Sequence, residues 1–159
     1  MSLHTSGRPL LPRTEWLKIV EHTPLVSIDL IVQDAEDRVL LGYRNNEPAR
    51  GTWFVPGGVI RKDESLDEAF QRIAKTELDL PLLRGKAHFV GVFEHMYPSN
   101  FAEVAGITTH YIVLSYAMHV STLPLQPADT QHRAWIGLKP AELLAHPLVH
   151  ENTKAYFRH

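Results

Sequence analysis

The chain has 159 residues, 44% of them hydrophobic, with 16 Lys and Arg against 18 Asp and Glu and no cysteine. That is enough apolar sequence for one domain with its own core. A net charge of −2 gives no overall basic field to draw the protein to nucleic acid or an anionic membrane. The absence of cysteine excludes disulfides and thiolate metal sites.

No apolar run reaches the roughly 18 to 20 residues that a bilayer span needs, and residues 1–12 lack the apolar centre of a signal peptide. Residues 1–13 are therefore expected to form a flexible leader, residues 14–159 a single domain, and the cytoplasm to be its compartment. Residues 14–22 carry Trp16, Leu17, Ile19 and Val20 as one side of a short helix, which stops before Pro24. Residues 25–33 (LVSIDLIVQ) are a β-branched, apolar strand broken by Asp29. Turn residues fill 34–37, and 38–44 return as the second arm of a hairpin. After a polar loop over 45–51, a short strand at 53–55 runs into Pro56-Gly57-Gly58, which predicts a tight turn with exposed backbone groups.

Residues 65–78 make the clearest helix, opened by the capping box Ser65-Leu66-Asp67-Glu68. Two long strands (86–97 and 107–120), a short one (133–137) and two closing helices (141–144 and 151–157) follow. This order predicts one mixed α/β domain with helices against a curved mixed sheet.

One carboxylate breaks the pattern. On a helical wheel with Leu66 at zero, Glu77 falls at about 20°, inside the apolar stripe of Leu66, Phe70, Ile73, Ala74 and Leu80. An unpaired carboxylate there is costly to desolvate, so it calls for a proton, a partner or a cation. The competing reading is a frayed last turn that lets Glu77 reach water. Arg72, at roughly 240° on the same wheel, is placed to reach back to Glu64 and brace the loop, bringing a glycine carbonyl near Glu77. Carboxylate and carbonyl oxygens suit Mg²⁺.

Gly58, Glu64, Arg72, Glu77 and Leu80 resemble the box that marks the Nudix superfamily, with its spacing kept. Ile73, Thr76 and Asp79 stand where that family usually has Glu, Glu and Gly. The resemblance implies a Nudix-type α/β/α sandwich, with helices on both faces of a curved mixed sheet. Losing two acidic positions leaves one box carboxylate, a poor basis for activating water through bridging metals. The chain is similar in this to the GDP-mannose mannosyl hydrolase branch, which cleaves at the anomeric carbon of the sugar. Further likeness runs through Thr23-Pro24-Leu25-Val26-Ser27, Trp53-Phe54-Val55-Pro56, Thr108-Thr109-His110-Tyr111 and Ala155-Tyr156-Phe157.

By that resemblance Gly57, Glu77 and Gln131 hold one Mg²⁺ per subunit, and His132 is the general base. Arg44 and Tyr111 stabilise departing GDP, Asp29 and His95 meet sugar hydroxyls, and Gly58, Glu64 and Arg72 shape the box. Read without it, Gln131 is a solvated loop amide and Arg44 a surface arginine. Tyr111 is then a core tyrosine, and Asp29 and His95 make structural hydrogen bonds. Val59 stands where the branch has an arginine, and Arg50 and Arg61 are the candidates to replace it.

The expected reaction is hydrolysis of GDP-mannose or a related GDP-sugar to GDP and free sugar, with inversion. The alternatives are a pyrophosphohydrolase attacking phosphorus and a non-catalytic nucleotide-sugar sensor. The implied partner is a small nucleotide-sugar, with no nucleic acid or membrane, and the branch implies a homodimer.

Overall fold

Apolar residues at consecutive rather than alternate positions mark a strand covered on both faces, and β1 (Leu25–Gln33) is such a strand, buried from Ser27 through Val32. The computed structural model describes residues 10–126 and 132–158, with the backbone alone at 132 and 133. Within them β1 pairs in parallel with β6 (Thr109–His119), from Leu25–Tyr111 to Gln33–His119. Its other edge is shared. The hairpin strand β2 (Val39–Arg44) takes the C-terminal end, and β4 (Gly57–Val59) takes the N-terminal half.

β3 (Trp53–Phe54) and β7 (His132–Leu138) pair with β2, and β5 (His88–Tyr97) closes the far side against β6. The result is an open mixed sheet with the path β3-β2-β1-β6-β5.

Alternation along β1 divides the core. Ile28, Leu30 and Val32 face α2 (Leu66–Leu78) together with Leu40 and Trp135. Ile31, Val39 and Leu41 face the opposite way, where α3 (Pro140–Ala145), α4 (Glu151–Lys154) and the 3-10 turn Ala155–Phe157 deliver Leu143 and Tyr156. Helices therefore cover both faces, as the sequence led us to expect. α1 (Arg13–His22) lays Val20 against Leu25 and Ile107 in a smaller third cluster. No helix of the described residues is long and apolar enough to cross a membrane.

α2 begins where the capping box says it should. The Ser65 hydroxyl accepts from the Glu68 amide at 3.1 Å, and the Glu68 carboxylate accepts from the Ser65 amide at 2.7 Å. It ends at Asp79, which adopts φ 54°, ψ 38°. Glycine is the usual residue in this left-handed cap, and Asp is one of the few others that tolerate it. The departure from the Nudix pattern at Asp79 therefore keeps the backbone the pattern needs. Leu66 is a correction, since it is 37% exposed and the buried stripe starts at Ala69. Leu80 lies beyond the helix and still packs on the same core.

The second correction is at Gly57-Gly58. These residues form a strand and not a tight turn, with Ile28 opposite Gly58 and Asp29 opposite Gly57. Strand pairing consumes backbone groups that the sequence led us to leave exposed, but only on one edge.

Candidate active site

The box residues act first as a brace. Glu64 has a fully buried side chain and grips Arg72 through two bonds, Nε to Oε2 at 2.7 Å and Nη2 to Oε1 at 2.9 Å. Arg72 Nη2 also donates to the Val59 carbonyl at 2.8 Å, and the Arg61 amide donates to Glu64 Oε1 at 2.8 Å. Burial pushes the Glu64 carboxyl up, but its bonds to Arg72 and the Arg61 amide and the two guanidinium charges outweigh this, leaving it below the ordinary range. Loop, strand and helix are thereby locked together, as the spacing of Glu64 and Arg72 predicts.

Strand register decides what β4 offers. Leu30 donates to the Pro56 carbonyl and Ile60 to the Val26 carbonyl, both at 2.8 Å. With antiparallel alternation, Ile28–Gly58 is then a hydrogen-bonded pair, while Asp29–Gly57 and Ser27–Val59 are not. The amides and carbonyls of Gly57 and Val59 therefore point away from β1, to an edge of β4 that carries no further strand. Arg72 takes the Val59 carbonyl there.

Gly57 also has no room for a side chain, because a Cβ would meet the Asp29 carboxylate and come within 2.6 Å of the Ile28 carbonyl. A Cβ on Gly58 would lie 3.0 Å from Ile73 of α2. Gly57→Ala is expected to destabilise the fold by about 1–3 kcal/mol, read as a lowered midpoint in urea. An unchanged midpoint would mean that β4 does not press on β1 in this way.

Glu77 lies one helical turn beyond Ile73 and is only 8% exposed, so the last turn of α2 does not fray to give its carboxylate to solvent. A buried carboxylate on α2 and an outward backbone carbonyl on β4 are each oxygen donors of the kind Mg²⁺ takes. Among the described residues no three His, Asp or Glu side chains gather as a metal cage. Gln131 lies outside the described residues. Of His132 the backbone is described, and the sheet register sets it opposite Arg44.

Asp29, Arg44, Gly57, His95 and Tyr111 line one open pocket, together with Phe54, Tyr97 and Val59. Arg44 is half-buried at the end of β2, and its Nε is buried with no hydrogen-bond partner among the described residues. Asp29 accepts from the Tyr156 hydroxyl at 2.5 Å. Burial raises its carboxyl to about 7, against the lowering pull of Tyr156 and Arg44. His95 is pushed down to about 4 by burial and by the neighbouring His150, so its ring is neutral at physiological pH. Burial also raises the Tyr111 hydroxyl, with Arg44 opposing and Asp29 assisting the rise.

Arg50 and Arg61 part company. Arg50 bonds Glu103 at 2.9 Å and the Asn45 carbonyl at 3.3 Å, so its guanidinium is committed. Arg61 keeps a buried Nη1 with no hydrogen-bond partner among the described residues, but it does not line the pocket. Val59 does line it, as an apolar wall. Sequence reasoning missed Phe54 and Tyr97 as pocket walls and Tyr156 as the partner of Asp29. The unusual carboxylate in β1 signalled that a partner exists but carried no information on which residue it is.

The family model described as the NUDIX domain matches residues 23–158. The low-salt glycan biosynthesis protein Agl8 of Haloferax volcanii is 40% identical over 140 residues, covering 87% of this chain and 86% of that protein. Among solved structures, the MutT NUDIX hydrolase from Burkholderia pseudomallei has a TM-score of 0.67 at 24% identity, over 86% of this chain and 97% of that one. The MutT protein from Methanosarcina mazei Go1 also has a TM-score of 0.67, at 17% identity, over 86% and 92% of the two chains. Those two structures attest the fold, and the matched residues include the braced loop and helix. By sequence and by fold, this chain belongs to the NUDIX domain family.

Proposed function

We propose that this protein hydrolyses a GDP-sugar, with GDP-mannose as the first candidate, to GDP and free sugar by attack of water on the anomeric carbon with inversion. The observation that carries this is the short supply of carboxylates beside a pocket with a half-buried guanidinium whose Nε has no hydrogen-bond partner among the described residues. Attack on phosphorus through bridging metals needs several acidic ligands, and the box keeps Glu77 while Ile73 and Thr76 replace two others. Departure of a diphosphate needs cationic and hydroxyl contacts instead, and Arg44 and Tyr111 line the pocket. The name of the Agl8 relative, a glycan biosynthesis protein, is in keeping with a sugar-bearing substrate.

In this proposal Gly57, Glu77 and Gln131 hold one Mg²⁺, which when bound supplies positive charge against the diphosphate. His132 takes the proton of the attacking water. The water oxygen bonds to the anomeric carbon, the bond from that carbon to the phosphate oxygen breaks, and GDP departs with the electron pair. Arg44 and Tyr111 bind its phosphate oxygens, while Asp29 and His95 orient the sugar hydroxyls.

A second reading is a pyrophosphohydrolase that attacks phosphorus, which membership of the family favours. Hydrolysis in ¹⁸O-water separates the two. Label in the free sugar is the expected result. Label in a phosphate product, with GMP and a sugar phosphate formed, would overturn the proposal.

A further inference from the structure

Beneath the pocket, one residue touches two of its polar groups without lining it. Tyr156 comes from the 3-10 turn at the end of the chain, is 8% exposed, and packs its ring edge-on against Phe93 with centroids 4.7 Å apart. Its hydroxyl donates to Asp29 Oδ2 at 2.5 Å and lies 3.4 Å from His95 Nε2. These three side chains come from β1, β5 and the C-terminal turn.

A tyrosine hydroxyl has one proton. With that proton given to Asp29, the oxygen has only lone pairs to offer His95. The imidazole must then carry its hydrogen on Nε2 and leave Nδ1 as an acceptor. Its lowered pKa of about 4, from burial and the nearby His150, keeps the ring in this single-proton form. As a carboxylate, Asp29 has Oδ2 engaged and keeps Oδ1 as an acceptor beside Gly57, where a side chain at 57 would have to stand. The hydrogen-bond chain thus has one polarity, running from imidazole through phenol to carboxylate.

We infer that Tyr156 is a positioning residue that fixes Asp29 and His95 as acceptors, so that this end of the pocket selects a sugar presenting hydroxyl donors. The inference rests on the assignment of Asp29 and His95 to the sugar. Tyr156 acts through them and does not touch the reacting atoms. Without the phenol, Asp29 loses the bond that orients it, and the imidazole is free to take either tautomer.

The test is Tyr156→Phe, which keeps the ring on Phe93 and removes only the hydroxyl. Two measurements are made. The first is the His95 tautomer, read from long-range ¹H–¹⁵N correlations near neutral pH. The second is the ratio of kcat/KM for a GDP-sugar to that for its deoxy-sugar analogue, with the inhibition constant of GDP as internal control. We expect an Nε2–H imidazole in the unaltered protein and a mixed or Nδ1–H form in the variant. Discrimination against the deoxy sugar should fall about tenfold, the worth of one hydrogen bond, with GDP inhibition unchanged.

An unchanged tautomer overturns the inference whatever the reaction products are. Unchanged discrimination does so too, as does a loss shared equally by GDP, which would mark a merely structural role. Failure of the GDP-sugar proposal itself is read separately, as label in phosphate from ¹⁸O-water.

Discussion

Arg44→Met is expected to lower kcat/KM by about two to three orders of magnitude while leaving the fold intact. The backbone of Arg44 is fixed, its amide donating to Thr52 at 2.9 Å and its carbonyl accepting from Gly51 at 3.0 Å. The guanidinium end is different, since its buried Nε has no partner among the described residues and the side chain lines the pocket. A half-buried cation lining the pocket is suited to a ligand that brings its own negative charge, and a diphosphate does so. Methionine keeps the stem and removes the charge, so stability changes little and the loss appears in catalysis. The inhibition constant of GDP should rise together with the loss in kcat/KM. Arg44→Lys should recover only part of it, because an ammonium restores charge without the planar fork. GDP inhibition unaffected in Arg44→Met would sink the assignment of this residue to the leaving group.

Glu64→Ala should produce the largest loss of stability among the box residues, about 3–5 kcal/mol, or a fall of roughly 6–20 °C in Tm for a chain of this size. The cause is not the absence of an attraction alone. Arg72 has a side chain only 12% exposed, and among the described residues its other hydrogen bond goes to the Val59 carbonyl. Removing Glu64 leaves a buried guanidinium charge without its counter-ion, and the Arg61 amide loses its acceptor. Urea denaturation at pH 7 measures the effect, and a loss below about 1 kcal/mol, typical of surface pairs, would show that the pair does not brace the fold.

The acid side gives a second check. Because the folded carboxyl titrates below its unfolded value, its contribution is complete above the unfolded pKa of about 4.3 and is lost as pH falls through the lowered folded value. The difference between the two proteins should therefore shrink in acid and stay level from neutral pH upward.

The elements most legible in the sequence are those whose causes are local. The capping box sets the start of α2 because Ser65 and Glu68 satisfy each other's amides within one turn. The length of β1 follows from a β-branched, apolar run interrupted only by Ser27 and Asp29, and the Glu64–Arg72 brace from spacing along one helix and its preceding loop. Helical periodicity put Glu77 in the apolar stripe but left a frayed last turn open, and the structure decides for burial.

The pocket was legible only in part. Asp29 stood out because a carboxylate in an apolar strand needs a partner, but that partner lies 127 positions along the chain. No pattern within β1 or the C-terminal turn could name it.

Sequence by itself therefore determined the mixed α/β class, the helix that carries Glu77, and the brace that holds it, since each depends on hydrogen bonds or periodicity within one short segment. Tertiary structure alone decided that Gly57 and Gly58 lie in a strand and turn the Gly57 carbonyl outward. It also decided that Arg44 and Asp29 share a pocket, and that Tyr156 reaches beneath it. Those facts depend on register between distant strands, and register is set by how two separate cores pack on the faces of one sheet.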